Sequence, residues 1–391
     1  MLTPSLRIRE HLALAPVARA EVQRDKRGLG NDPGIDATND AALAWLVRAQ
    51  DHSASQDGGV ARHYSLKTGW APSYPETTGY IVPTILAAAR QWSDPSLYAR
   101  ARRMLDWLVS IQFPEGGFQG GMIGQTPVVP VTFNTGQILM GLASGVTEFG
   151  DVYRPAMRLA ADWLLSIQDS DGAWRKHPTP FATFGASPYH THVAWGLFEA
   201  ARLDPERGYA QAALRNIHWA LTKQQTNGWF ADCCLTDHKK PLTHTIGYVL
   251  RGLIEAYRFT KNEQLLHAAL RTATGLLSVS TEDGFLPGRL DAHWKGAVKW
   301  VCLTGSVQIA HCWLSLYQYT GELRFRDAAF AANRYVRSTV RMDGPPDVRG
   351  GVKGSFPISG GYGSFEYLNW AGKFLIDSNL LEQSIRDAET D

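Results

Sequence analysis

No apolar run in the chain approaches the roughly 18 residues that a membrane-spanning helix needs, and no block of five like charges occurs. Against 39 basic residues stand 37 acidic ones, a formal net charge of +2, so nucleic-acid binding through a basic face is not expected. Only four cysteines are present, Cys233, Cys234, Cys302 and Cys312. The first two are adjacent and cannot readily bridge each other, and four in so long a chain make no disulfide scaffold. They read as small buried thiols in a reducing compartment. The opening stretch MLTPSLRIREHLALAPVARAEVQRDKRG carries charges throughout and has no continuous apolar segment of the signal-peptide kind. A cytoplasmic location follows as the expectation. Residues 1–35 read as an arm packed on one folded unit, residues 36–391.

What the chain does have is repetition. Glycine turns recur at Asp57-Gly58, Glu115-Gly116, Asp171-Gly172, Asn227-Gly228, Asp283-Gly284 and Asp343-Gly344, with successive spacings of 58, 56, 56, 56 and 60 residues. An amphipathic stretch precedes each turn, for example ARRMLDWLVSIQ and AMRLAADWLLSIQ, with apolar residues at helical spacing and charges between them. After each turn comes a stretch that is apolar nearly all round and rich in Gly and Ala, such as NTGQILMGLAS and HTIGYVLRGLIEAYR. That composition suits a helix packed closely on several neighbours. Pro83 is expected to kink or loosen the first of these.

Six pairs of an outer and an inner helix predict an all-α fold, an (α/α)6 toroid closed on itself. All the inner helices start after the glycine loops. The loops and the inner N-termini therefore gather at one end, and a site is expected there.

The Gln168-Asp171-Gly172-Trp174 pattern resembles the repeat of terpenoid cyclases and protein prenyltransferase β subunits. The acidic D-x-D-D run with which triterpene cyclases protonate their substrate is missing. Prenyltransferases hold zinc with Asp, Cys and His, and the resemblance offers Asp232, Cys234 (or Cys233) and His244 as a possible zinc set, although their spacing matches no familiar zinc motif. No cofactor is otherwise expected. The stretches SYPETTGYIVPTIL and GSFPISGGYGSFEYLNWAGKFLIDSNLLE are similar to helical proteins encoded among bacterial polysaccharide-synthesis genes. The architecture resembles six-hairpin carbohydrate-active enzymes: unsaturated uronyl hydrolases, uronate lyases and the helical domain of glucuronyl C5-epimerases.

At the open end the sequence places many aromatic, imidazole and cationic groups and few carboxylates. Aromatic faces stack on sugar rings, and guanidinium pairs with a uronate carboxylate. Arg62, His63, Tyr74, Tyr80, His192, Asp237, Arg289, Trp294, Trp300, Tyr367 and Trp370 are the candidate substrate-binding residues. Aligning the inner helices on a shared threonine sets Thr77, Asn134, His190 and His244 at one equivalent position. The threonine belongs to the scaffold, where it is expected to cap the first turn, and the residue before it varies. A histidine at a helix N-terminus is held neutral by the dipole and can serve as base or hydrogen-bond donor. Glu76 is the carboxylate best placed for general acid or base work.

The expected activity is proton abstraction at C5 of a uronic acid residue, by a lyase or an epimerase, on an acidic poly- or oligosaccharide. The lyases on this toroid characteristically use Asn, His and Tyr. That resemblance favours His190, His244, Tyr362 and Asn134 as catalytic residues, with Asn, His or Arg62 to neutralise the carboxylate. Glu76 joins the catalytic candidates by its place just before an inner helix. One alternative is a glycoside or unsaturated uronyl hydrolase using Glu76 with Asp232 or Asp237. Another is a non-catalytic sugar-binding or prenyl-binding toroid.

Overall fold

The computed structural model describes residues 15–182 and 185–390. Residues 1–14 of the expected arm lie outside the described residues. Within the rest of the arm, Pro16–Asp25 form helix α1. Outer helices α2 (Ile35–Asp51), α4 (Pro95–Ser110), α6 (Arg154–Ile167), α8 (Tyr209–Leu221), α10 (Glu263–Leu277) and α12 (Leu323–Arg337) then alternate with an inner set. The inner helices are α3 (Pro75–Trp92), α5 (Thr132–Phe149), α7 (Thr191–Leu203), α9 (Thr243–Thr260), α11 (Leu303–Thr320) and α13 (Asn369–Thr390). Consecutive inner helices pack side by side, and α13 packs back on α3 to close the ring. The fold is an (α/α)6 toroid. Pro83 sits inside a continuous α3 and does not end it.

The repeat turns have a common construction. All six glycines that follow the acidic or amide residue have positive φ, from 83° at Gly228 to 111° at Gly116. This is the left-handed region that only glycine enters without strain. Space is short as well: a Cβ on Gly172 would lie 2.3 Å from the Arg215 carbonyl oxygen on the next outer helix. The glutamine ahead of each of the first four turns fastens turn to helix. Gln168 Nε2 donates to Gly172 O at 3.1 Å and to Ala212 O at 2.9 Å. Gln50 and Gln112 bond both their own turn and the next outer helix, and Gln224 bonds the next outer helix.

The shared threonine does not cap its helix. Thr135 Oγ1 donates to Val131 O and accepts from Phe118 N, both at 2.9 Å, and Thr78 does the same with Tyr74 O and Val60 N. In each case the hydroxyl bolts the post-turn segment to the start of the inner helix, fixing loop and helix in one register.

Short strands, which the helical pattern does not show, finish the loop end. Strands β1 (His63–Ser65) and β2 (Gly69–Trp70) pair antiparallel, as do β3 (Val301–Cys302) and β4 (Ser355–Phe356). Strand β5 (Glu366–Leu368) pairs with β1 through Tyr64 and Tyr367, joining the last loop to the first. The α1 helix is tied down by a buried cluster: Lys353 Nζ lies 2.6 Å from Glu21 Oε1 and 2.5 Å from Asp25 Oδ1.

Candidate active site

A cleft of about 370 Å³ opens at the loop end, where the inner helices begin. Glu76, Asn134, His244 and Trp370 reach it from the first turns of α3, α5, α9 and α13. Arg62 immediately precedes β1, Tyr74 immediately precedes α3, and Tyr362 comes from the loop before β5. Tyr80 and Tyr248, one turn deeper, supply the floor, and Phe133 and Tyr189 complete an aromatic wall. Of the expected site residues, the structure thus brings together Glu76, Asn134, His244, Tyr362, Arg62, Tyr74, Tyr80 and Trp370.

Glu76 is the one carboxyl group among the described lining residues. Burial raises its pKa to about 7, against the lowering effects of a hydrogen bond from Tyr74 and the charge of Arg62. The Tyr74 hydroxyl donates to Glu76 Oε2 at 2.7 Å. Burial, followed by the Glu76 charge, pushes Tyr74 well above its ordinary pKa, so it keeps its proton. The Asn134 side chain lies close enough to bias that phenol's charge. Its buried Nδ2 nevertheless makes no hydrogen bond among the described residues.

Arg62 shares its Nη1 between His63 Nδ1 at 2.7 Å and Glu366 Oε2 at 3.0 Å, and its guanidinium lies 5.0 Å from the Trp370 ring centroid. Trp370 Nε1 donates to the Tyr362 hydroxyl at 2.9 Å, which leaves the phenolic proton available. Burial pushes Tyr362 well above its usual range.

His244 Nδ1 lies 2.7 Å from Gln308 Oε1, and burial lowers its pKa to about 4 despite that bond. The imidazole is neutral at pH 7, as the helix-start position suggests. A base of such low pKa is poorly matched to neutral operation, whereas Glu76 is well matched. His190 is placed differently. Its helix is entered through a 3-10 turn, Pro188–His190, and the ring packs among Phe133, Trp174 and Tyr189 without lining the cleft. His192 lies below the floor, its Nδ1 on Gln137 Oε1 and its ring on Tyr248.

Other expected binding residues do structural work. His63 stands behind Arg62, and burial, then the Arg62 charge, lowers its pKa to about 4. Asp237 caps the amides of Lys239 and Lys240, while Arg289 Nη1 bonds Lys240 O at 2.7 Å. Trp294 donates to Asn227 O and packs on Trp229. Trp300 packs over Gly288 and Gly361, and Tyr367 is fully buried near the α1 cluster. Loop residues carry no periodicity from which such orientations can be read.

The alternative zinc set is not assembled. Asp232 pairs with Lys223 at 2.9 Å and faces His238, Cys234 is a buried free thiol, and His244 is engaged by Gln308. Among the described residues no three His, Cys, Asp or Glu side chains converge as metal ligands. Neither Asp232 nor Asp237, the partners offered to Glu76 in the hydrolase alternative, lines the cleft. Tyr248, which sequence reasoning missed, stands four residues after His244, the spacing that stacks two side chains on one helix face. Gln308 gave no local signal, because its role depends on the register between α9 and α11.

Residues 74–254, less than half of the chain, match the family model of the squalene-hopene cyclase C-terminal domain. No curated protein matches the chain. An unsaturated glucuronyl hydrolase specific for heparin superposes with a TM-score of 0.72 at 16% identity, covering 90% of this chain and 98% of that one. The likeness is one of fold. A sugar epimerase from a ruminal bacterium gives 0.71 at 12% identity, over 88% of this chain and 97% of that one. An unsaturated glucuronyl hydrolase from Bacillus sp. GL1, responsible for the degradation of glycosaminoglycan, gives 0.69 at 14%, over 88% and 96%. No helix among the described residues is long and apolar enough to cross a membrane.

Proposed function

We propose that the protein is an enzyme acting on a uronic-acid-containing oligo- or polysaccharide, and that Glu76 moves a proton at C5 of the uronate. The observation that carries this reading is Glu76 itself, a lone buried carboxyl with a pKa of about 7 in an aromatic cleft that also holds a guanidinium and an unpartnered amide donor. The carboxylate form accepts the C5 proton. The electron pair spreads onto the uronate carboxyl group, whose added charge is met by Arg62 and Asn134 Nδ2. In elimination the C4–O4 bond breaks, O4 leaves with its electron pair, and Tyr362 supplies the proton. In epimerisation C5 is reprotonated on its other face. Solved structures of sugar-acting toroids support the substrate class.

A second reading is favoured by the same carboxyl. In its protonated form Glu76 can deliver a proton to the electron-rich C4=C5 bond of an unsaturated uronyl group, after which water adds and the glycosidic bond is released. The two readings need opposite protonation states of Glu76.

The test is incubation with saturated uronate oligomers in deuterated water. Conjugated double-bond absorbance or C5 deuterium, lost in Glu76→Gln, supports abstraction. Inertness toward saturated oligomers together with consumption of unsaturated ones establishes the second reading instead.

A further inference from the structure

Two histidines in the inner ring are held in the same way. His244 Nδ1 meets Gln308 Oε1 at 2.7 Å, and His192 Nδ1 meets Gln137 Oε1 at 2.5 Å. In both, the glutamine stands on a neighbouring inner helix, α11 beside α9 and α5 beside α7. The two imidazoles flank the same ring, each with its centroid 4.4 Å from that of Tyr248. Gly247 admits Gln308 this closely, since a Cβ there would lie 3.1 Å from that of the glutamine.

An amide oxygen only accepts, so each Nδ1 must carry the proton. A neutral imidazole has one such proton, and Nε2 is left as an acceptor in both rings. His192 Nε2 is buried and finds no hydrogen-bond partner among the described residues. His244 differs in lining the cleft, where a ligand can meet its lone pair. Across the cleft, the buried Asn134 Nδ2 is a donor without a partner among the described residues. The cleft therefore has a fixed acceptor and a fixed donor.

We propose that Gln308 is a positioning residue that fixes His244 as a hydrogen-bond acceptor, so that the cleft selects a sugar placing a hydroxyl at His244 while an acceptor oxygen faces Asn134. The proposal rests on the sugar-binding reading above and adds the polarity of its recognition. A ligand hydroxyl can donate to Nε2; a ligand carbonyl or carboxylate oxygen at that point is repelled.

The experiment is two-bond proton–nitrogen correlation spectroscopy on uniformly 15N-labelled protein, with His244→Asn to assign the signal. Titrations with methyl glucuronide and methyl glucoside run in parallel. The expected wild-type tautomer is Nδ1–H. Gln308→Glu keeps an acceptor and keeps that tautomer, whereas Gln308→Leu shifts His244 toward Nε2–H and weakens glucuronide binding by about tenfold. An Nε2–H tautomer in the wild type, or unchanged affinity in a Gln308→Leu protein whose tautomer has shifted, overturns the proposal. Equal wild-type binding of the two glycosides, with the same loss in Gln308→Leu, supports the role of Gln308 and contradicts the acidic-sugar reading alone. Failure of the wild type to bind either glycoside overturns both.

Discussion

The Tyr74 hydroxyl donates to Glu76 Oε2 across 2.7 Å, at the entrance to the first inner helix. This contact lowers the Glu76 pKa, yet burial outweighs it and leaves the carboxyl near pH 7. A carboxyl so placed exchanges protons at physiological pH with little bias either way, the condition for efficient general acid–base work. The same burial makes Glu76 a stability liability whenever it is ionised.

That liability is measurable. A folded-state pKa raised from 4.5 to about 7 means that stability present below pH 4.5 is lost as pH rises through 7. Glu76→Gln keeps the acceptor for Tyr74 and removes the ionisation. The variant should be more stable than wild type above pH 7, by up to about 3 kcal/mol, and equal to it near pH 4. Thermal melts of both proteins across this range provide the check.

The histidines act in the opposite sense. Burial lowers His63, His190 and His244 from 6.5 to about 4. The unfolded chain binds protons first, so stability is complete above pH 6.5 and falls as pH drops toward 4. Each contributes up to about 3 kcal/mol. Three such groups outweigh the single gain at Glu76, and the denaturant midpoint should fall steadily over that interval. A midpoint that stays flat or rises contradicts the burial assigned to these rings.

Asn134 separates binding from folding. Its Nδ2 has no hydrogen-bond partner among the described residues to lose, so Asn134→Leu should leave the melting temperature nearly unchanged. Loss of a donor to a charged oxygen should weaken binding of a uronate by about 1.5–3 kcal/mol, read by calorimetric titration.

The scaffold has its own test. Gly172→Ala places a Cβ 2.3 Å from Arg215 O in a residue at φ 92°. It should cost at least about 2 kcal/mol. Alanine at Gly150, whose φ is 80° but whose Cβ would meet nothing within 4 Å, should cost less. Denaturant unfolding of the two variants compares strain plus collision with strain alone.

These contrasts mark what a sequence shows. The six turns are legible because backbone geometry leaves glycine no substitute, and the loop end is legible because outer and inner helices alternate. Glu76, Asn134 and His244 follow from that, each being in the first turn of an inner helix. His190 shares their alignment but not their place, since a 3-10 turn ahead of α7 carries it behind the aromatic wall. Trp294, Trp300 and Arg289 sit in loops whose paths depend on partners far along the chain. The His244–Gln308 pair spans 64 residues and depends on how two helices are set side by side.

The proposed role of Glu76 is proton transfer at C5 of a uronate. Its most direct test is deuterium incorporation at C5 of a saturated uronate oligomer, or its elimination rate, followed from about pH 5 to 9 in wild type and Glu76→Gln. The rate should rise through pH 7 as the carboxylate forms, and Glu76→Gln should reduce it by at least about a hundredfold at every pH. A wild-type rate that Glu76→Gln leaves intact, or that falls through pH 7, contradicts that role.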